Sequence, residues 1–318
     1  MNSAMSRRAR LLLATLLLPL SLVTAACGGS SESAGSPTAS SAGAGFPVTV
    51  SAANGQITVT SVPRRVVSLS PSATETLFAV GAGSQVVAVD DQSDFPAEAP
   101  KTSLSAFQPN AEAVAGHSPD LVVLAHDSNG VVKALTTLKI PVLLLPAPKT
   151  LSEAYTQMVT LGSVTGHVEA ATTLVERTRS RIDAAAKAAA PVKGMRLYHE
   201  LDPTYYSVTS ETFLGDLYIA LGLANIADQA EDLAGGYPKL SAEYIVKAAP
   251  DIITLADTGS DAGGQSPEKV AKRPAFADLP AVRSGRVIAV DADIASRWGP
   301  RIADYAEFLA KTLTTAGN

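Results

Sequence analysis

Residues 111–125 read AEAVAGHSPDLVVLA, and residues 242–256 read AEYIVKAAPDIITLA. The two stretches align without a gap at an offset of 131 residues, with identities at Ala111/Ala242, Glu112/Glu243, Pro119/Pro250, Asp120/Asp251, Leu124/Leu255 and Ala125/Ala256. Each stretch has the pattern of a short helix, a Pro-Asp turn and a buried strand. Such an internal repeat predicts two similar lobes, and chance similarity between two common helix–turn–strand units is the alternative interpretation.

Strands and helices alternate on both sides of the repeat. The predicted strands are residues 65–69, 86–89, 121–124 and 142–145 in the first half, and 195–199, 252–255 and 287–290 in the second. Apolar strands that alternate with helices indicate parallel sheets covered on both faces. Ahead of them, residues 46–60 alternate apolar and polar positions around Asn54-Gly55, which predicts a β-hairpin on a type I′ turn.

A long helical segment separates the two halves. Residues 152–191 have a helical pattern that breaks between Gly162 and Gly166, and residues 167–190 contain no glycine or proline. As one helix, this last stretch is about 36 Å long at 1.5 Å per residue. We therefore predict an α/β fold with two similar parallel-sheet lobes, joined by one long rigid helix, and with a ligand cleft between the lobes.

The N-terminus has the features of an export signal. Arg7, Arg8 and Arg10 precede a short apolar run at residues 11–23, which is too short to span a bilayer. Cys27 follows this run, and it is the only cysteine in the chain. It therefore has no internal disulfide partner, and we expect it to be the site of lipid attachment after cleavage. An ordinary signal peptide with an incidental cysteine is the alternative.

The sequence divides into five segments by composition. We predict a lipoprotein signal peptide at 1–26, a flexible tether at 27–45, an N-terminal lobe at 46–150, a connecting helical segment at 151–191 and a C-terminal lobe at 192–318. The whole chain has a formal charge of −5, and the signal peptide contains three of its basic residues and none of its acidic ones. This acidic balance argues against nucleic acid as a partner.

Three motifs carry a family resemblance. Residues 65–76 read RVVSLSPSATET, residues 93–96 read SDFP, and residues 296–302 read SRWGPRI. Together with the two Pro-Asp strands, they resemble the iron-siderophore and cobalamin solute-binding proteins over about residues 46–316. The resemblance implies a monomeric binding protein, with no enzymatic activity and no cofactor, that is held by its lipid outside the cell membrane. It also implies delivery of a metal chelate to an ABC permease and its ATPase.

The repeat contains one acidic residue at matched positions. Asn110 and Ser241 have the pattern of helix N-caps, which places Glu112 and Glu243 in the first turn of each helix. Interaction with the helix dipole explains either glutamate alone, but it does not explain the matched pair. The resemblance implies that both lie on the outer rims of the cleft and pair with arginines of the permease.

The loops that follow the parallel strands are expected to line the cleft. The candidates are Gln92, Phe107, His126, Asp127, Tyr205, Tyr206, Asp257, Arg297 and Trp298, and each of them is otherwise an ordinary surface loop residue. The resemblance implies a ferric siderophore first, a corrinoid second and haem third. Arg297 and Arg301 suit the anionic groups of a siderophore, and His126 suits haem iron. The resemblance also implies that Gln92 and Ile294 match positions where the cobalamin-binding proteins of Gram-negative bacteria have aromatic residues, and this departure counts against cobalamin.

Two local patterns occur at the start of the helix predicted for residues 72–80. Ser72 and Glu75 are spaced as a capping box, which predicts a structural role for Glu75. The helix start after Ser70 is also a place where free backbone N–H groups could meet an anionic ligand. Zinc ligation is not expected, because the histidines lack a zinc spacing and there is no second cysteine.

Two other classes of protein remain as alternatives. Asp257-Thr258-Gly259-Ser260 matches the tetrapeptide of a secreted aspartic-type hydrolase, but no second Asp-Thr-Gly or Asp-Ser-Gly occurs. A structural or adhesive lipoprotein explains the anchor and leaves the paired glutamates unexplained.

Overall fold

A computed structural model of the chain describes residues 45–259 and 264–315. The predicted signal peptide, the lipidation site Cys27 and nearly all of the predicted tether lie outside these residues. Within the described part, no helix is both long and apolar enough to cross a membrane.

The described chain begins with the predicted hairpin. Its strands are β1 (Val48–Ala52) and β2 (Gly55–Val59), which pair in antiparallel register with Ala52 opposite Gly55. The predicted type I′ turn is wrong, because that turn needs positive φ at both central residues. Here Gly55 has φ of 108°, and neither Ala53 nor Asn54 is among the residues with positive φ.

A first parallel sheet follows. Its strands are β3 (Val66–Leu69), β4 (Val86–Val89), β5 (Leu121–Leu124) and β6 (Val142–Leu144), in the order β4-β3-β5-β6. Its helices are α1 (Pro71–Ala79), α2 (Ala111–Gly116) and α3 (Val131–Thr137). The Asn54 side chain donates to the carbonyl of Val142 at 3.0 Å and accepts from the amide of Leu144 at 3.1 Å. The hairpin turn is therefore held against the edge strand β6.

Two helices, α4 (Leu151–Thr165) and α5 (Val168–Ala188), connect the halves. The break lies at Gly166, where φ is 81°, and not at Gly162, which is inside α4. A side chain at Gly162 would place its Cβ 2.3 Å from the Cβ of Ala171, so this glycine allows α4 and α5 to approach closely. The helix α5 has 21 residues and is about 31 Å long, a little shorter than expected.

A second sheet completes the fold. Its strands are β7 (Arg196–Glu200), β8 (Ala224–Asn225), β9 (Ile252–Leu255) and β10 (Val287–Ala289), in the order β10-β9-β7-β8. Its helices are α6 (Phe213–Ala220), α7 (Ala242–Ala248), α8 (Pro267–Ala271), α9 (Pro280–Arg283), α10 (Ala292–Ser296) and α11 (Ile302–Thr315). All strand pairs in both sheets are parallel, and in each sheet the first strand lies between the second and the third.

The internal repeat is a repeat of structure. The carboxylate of Asp120 accepts the backbone N–H of Arg65 at 2.9 Å, and that of Asp251 accepts the backbone N–H of Arg196 at 2.9 Å. The guanidinium of Arg65 also donates to the carbonyl of His117, just after α2, and that of Arg196 donates to the carbonyl of Ala248, the last residue of α7. The two arginines are 131 residues apart, as are the two aspartates, so the duplication includes these Arg–Asp hydrogen bonds. The predicted α/β fold with two similar sheets is confirmed.

The long helix takes part in the cores of both halves. Its residues Ala171 and Leu174 pack in a buried cluster with the first sheet, whereas Ile182 and Ala185 pack in a cluster with the second. The same helix packs along α4 and α11. Burial in two cores gives it the character of a rigid strut, because bending it would open packed interior on both sides.

Candidate functional site

A cavity of about 170 Å³ lies at the carboxyl edge of the first sheet. It is lined by Leu69, Ser70, Pro71, Ser72, Gln92, Ala106, Phe107, Ala125, His126, Asp293, Ser296, Arg297 and Trp298. The first nine belong to the first half of the chain, and the last four follow β10 in the second half. We call this space the cleft cavity. Its position agrees with the rule that ligands of parallel sheets bind beyond the carboxyl ends of the strands.

Five of the predicted site residues meet in this cavity: Gln92, Phe107, His126, Arg297 and Trp298. Gln92 and His126 are exposed in the loops after β4 and β5. Phe107 is the most exposed of the large apolar side chains in the described residues, at 68%. Arg297 is buried and Trp298 is half-buried, so they form the floor of the cavity while the others form its rim.

The other four candidates do not line the cleft cavity. Asp127 accepts the backbone N–H of Val132 at 3.0 Å and so caps the start of α3. Tyr205 stacks on Phe276 with ring centroids 6.2 Å apart, and Tyr206 lies beside a lysine. Asp257 is fully buried. Their part in ligand binding stays a prediction.

Asp257 is part of a buried cluster of charges at the end of β9. Its exposed fraction is 0%, and burial, followed by the nearby carboxylate of Glu200, raises the pKa of Asp257 to about 7. Glu200 is itself bound by both terminal nitrogens of the Arg273 guanidinium, at 2.5 and 2.6 Å. In this conformation no substrate reaches Asp257, which gives the Asp-Thr-Gly sequence no support as a hydrolytic site.

Arg297 is the centre of an ion-pair network across the two halves. Its guanidinium lies 2.6 Å from Asp94, 3.0 Å from Asp293 and 3.4 Å from Glu75. It also donates to the backbone carbonyl of Gln92 at 3.0 Å. Asp94 and Glu75 come from the first half of the chain, so the arginine neutralises acids on both sides of the cavity floor.

The predicted capping box at Ser72 and Glu75 is wrong. The N-cap of α1 is Ser70, whose hydroxyl accepts the backbone N–H of Ala73 at 3.4 Å. Ser72 instead accepts the backbone N–H of Trp298 at 3.0 Å. The side chain of Glu75 is 1% exposed, and it binds Arg301 at 2.5 Å in addition to its contact with Arg297. Sequence reasoning missed this role; the only available signal was the pair of arginines in the motif SRWGPRI.

The matched glutamates lie where the repeat predicted them. Asn110 accepts the backbone N–H of Ala113 at 2.9 Å, and Ser241 accepts that of Tyr244 at 3.1 Å, so both are N-caps. Glu112 and Glu243 are exposed in the first turns of α2 and α7. The backbone N–H of Glu243 and, to a smaller extent, the Ser241 hydroxyl bond to the Glu243 carboxylate and lower its pKa.

The described residues contain no cluster of three or more His, Cys, Asp or Glu side chains that could hold a metal ion. His126 is the one histidine in the wall of the cleft cavity, and it is exposed there.

Comparison with known proteins gives concordant matches. The family profile described as periplasmic binding protein matches residues 66–294. An uncharacterized ABC transporter substrate-binding lipoprotein of Bacillus subtilis is 32% identical over 281 residues, 84% of this chain and 86% of that protein. A cobalamin-binding protein of Halobacterium salinarum is 32% identical over 267 residues, 81% of this chain and 72% of that protein. The crystal structure of a possible iron-binding periplasmic solute-binding protein from Staphylococcus epidermidis matches with a TM-score of 0.67 and 28% identity, over 80% of this chain and 99% of that one.

Proposed function

The chain belongs to the periplasmic binding protein family, and we propose that it captures a corrinoid for an ABC importer, with a ferric siderophore and haem as less favoured cargo. Its general role, as a substrate-binding protein of an ABC transporter for cobalamin, haem or iron chelates, follows from the family and from relatives of about one-third identity. The choice among these ligands rests on the charges of the cleft cavity.

The observation that carries the proposal is that Arg297, the cationic side chain of the cleft cavity, already has acidic partners. Arg297 and Asp293 are the charged residues among those lining the cavity, and they contact each other at 3.0 Å. Arg297 also binds Asp94 and Glu75, and Arg301 binds Glu75. Siderophore catecholates and haem propionates are anions that require unpaired cationic donors. A corrinoid presents mainly neutral amide side chains and a single phosphodiester, so it depends less on free cationic donors.

The remaining walls suit a large uncharged ring with polar substituents. Trp298 and Phe107 provide aromatic surface, which buries apolar area and also tolerates polar edges. Gln92 offers an amide that can both donate to and accept from an amide of the ligand. The relative from Halobacterium salinarum, a cobalamin-binding protein, supports the same ligand class.

The cleft cavity is smaller than a corrinoid, since its volume is about 170 Å³. Typical small-molecule pockets have volumes of about 300–1,000 Å³. We therefore expect the rim that contains Phe107 to move when ligand binds, while Arg297 and Trp298 stay in place. The exposure of Phe107 and the burial of Arg297 are consistent with this division.

Delivery of the ligand to the permease involves a lipid anchor near the N-terminus and two exposed glutamates. We propose that Cys27 carries the lipid that holds the protein on the outer face of the cell membrane, and that Glu112 and Glu243 contact the permease. Their exposure and their equivalent positions in the duplicated halves support the docking role. Exposed charges of this kind contribute mainly to steering and register.

The test is a titration of the purified mature protein with cyanocobalamin, a ferric tris-catecholate and haemin, measured by calorimetry. We expect the corrinoid to bind at least tenfold more tightly than either anionic chelate. Phe107→Ala should weaken that binding, and Phe308→Ala is its matched control, because Phe308 is also an exposed phenylalanine but lies on α11 away from the cavity. Tighter binding of the catecholate or of haemin would overturn the choice of ligand.

A further inference from the structure

A second cavity, of about 110 Å³, lies at the carboxyl edge of the second sheet. We call it the C-terminal chamber; it is lined by Ala147, Pro148, His199, Leu201, Val208, Phe213, Leu214, Tyr237, Ala256, Ala292, Ala295, Ser296 and Trp298. Ser296 and Trp298 also line the cleft cavity, so the two spaces share a wall. A group attached to a ligand in the cleft cavity could therefore reach the chamber past Trp298.

The walls of the chamber are mainly apolar, and the polar side chains among them include Ser296 and the histidine His199. This histidine is the fourth residue of β7, and its exposed fraction is 0%. Its Nδ1 is 2.8 Å from the hydroxyl of Thr254 and 2.9 Å from that of Tyr218, and neither of these residues lines the chamber. The opposite edge of the ring, which carries Nε2, is therefore the edge directed at the chamber.

The Nε2 atom of His199 is buried and has no hydrogen-bond partner. Most buried polar side-chain atoms in proteins have a partner, and leaving one without a partner is unfavourable. Burial lowers the pKa of His199 to about 3, so the ring is neutral at physiological pH. A neutral imidazole has one donor nitrogen and one acceptor nitrogen, so Nε2 can make one hydrogen bond to an uncharged group.

The size of the chamber limits what can occupy it. An apolar cavity of about 150 Å³ binds benzene, and a volume near 110 Å³ corresponds to one small ring or less. Phe213 and Tyr237 add aromatic surface to that of Trp298. A charged group is excluded, because none of the residues that line the chamber carries a charge to pair with it.

We propose that the C-terminal chamber is a ligand subsite that receives one small uncharged ring bearing a hydroxyl or a ring nitrogen, bound through Nε2 of His199. Its connection to transport rests on the proposed function, since the ring would be a substituent of the cargo held in the cleft cavity. Binding of the ring by itself does not depend on that function, and so it can be tested separately.

The experiment compares phenol with toluene, which have nearly the same shape but differ in the hydroxyl group. The mature protein is labelled with ¹⁵N-histidine, and the Nε2 resonance of His199 is followed during each titration. We expect phenol to shift this resonance and to bind at least tenfold more tightly than toluene. Equal affinities, or no shift with phenol, would overturn the proposal.

A blocking variant checks the location. Ala292 lines the chamber but is exposed, so Ala292→Phe should fill the mouth without disturbing the core. We expect it to weaken phenol binding at least tenfold, and unchanged binding would overturn the assignment to this chamber. Phenol binding in a protein that binds no corrinoid would keep the subsite and reject the proposed cargo. Corrinoid binding without any phenol effect at His199 would keep the proposed cargo and reject the subsite.

Discussion

Replacing Glu75 with Gln tests whether the buried ion pairs hold the two halves of the protein together. The side chain of Glu75 is 1% exposed, and its Oε1 lies 2.5 Å from Arg301 and 3.4 Å from Arg297. The space around it is fully used, since a Cβ on Gly299 would come within 2.8 Å of its Oε2. Glutamine keeps the shape of the side chain and removes its charge, so the change isolates electrostatics from packing.

The expected magnitude follows from the burial of the partners. Removing one member of a buried ion pair costs about 3–5 kcal/mol, because the remaining charge is left uncompensated. Arg297 keeps Asp94 and Asp293 and is thus partly protected, whereas Arg301 loses its direct partner. We therefore expect a loss near the lower end, about 3 kcal/mol. At roughly 2–4 °C per kcal/mol for a protein of this size, the melting temperature falls by about 6–12 °C.

Thermal unfolding of the mature protein, followed by calorimetry, measures the loss. Glu307→Gln is the matched control, because Glu307 also binds an arginine at 2.6 Å but its side chain is 46% exposed. Exposed pairs contribute at most about 1 kcal/mol. A double-mutant cycle with Arg301→Gln then isolates the coupling of the buried pair. Equal changes for the two glutamate variants, or no coupling in the cycle, would refute the reasoning.

Three further predictions concern pH, docking and the anchor. With the pKa of Asp257 raised to about 7, the folded protein retains a proton that the unfolded chain releases near pH 4. The free energy of unfolding of the protein should therefore fall as pH rises between these values, by at most about 1.4 kcal/mol per pH unit. Urea unfolding at several pH values should show that Asp257→Asn lacks this decrease, and the same pH dependence in the variant and the wild type would contradict the prediction. Changing Glu112 and Glu243 together to Ala should leave ligand affinity in calorimetry unchanged and lower uptake in cells, with Glu169→Ala as a control at another exposed first-turn acid; normal uptake would remove the docking role. Replacing Cys27 with Ser should release the protein into the medium, as detected by fractionation, and a variant that stays in the membrane fraction would reject the lipid anchor.

The parts of the fold that sequence patterns predicted are those set by neighbouring residues. The Pro-Asp turns of the repeat place Asp120 and Asp251 beside the starts of the strands they clasp, so the sequence pattern and the hydrogen bonds coincide. The N-caps Asn110 and Ser241 were predicted for the same reason. The error at Gly162 arose because a glycine in a helix also serves close packing, and the partner, Ala171, lies across the turn between two helices.

The candidate site was predicted only in part, because the ends of parallel strands identify an edge of a sheet and not the direction of each side chain. Gln92 and His126 follow strands β4 and β5 and do line the cleft cavity. Asp127 is the next residue after His126, yet its carboxylate turns to the start of α3. His199 could not be predicted as a site residue, since nothing in its local sequence shows that its ring borders a cavity.

Glu75 shows why a local pattern can mislead where a distant charge competes for the same group. As the second member of a capping box, its carboxylate would gain one exposed hydrogen bond, worth about 1 kcal/mol. In the structure it instead joins Arg297 and Arg301, which are 222 and 226 residues away in the sequence. Those arginines are largely buried, and removing Glu75 from them would destabilise the protein by more than a helix cap stabilises it. Ser70 supplies the cap in its place, so the helix loses nothing while the carboxylate ties the first half of the protein to the second.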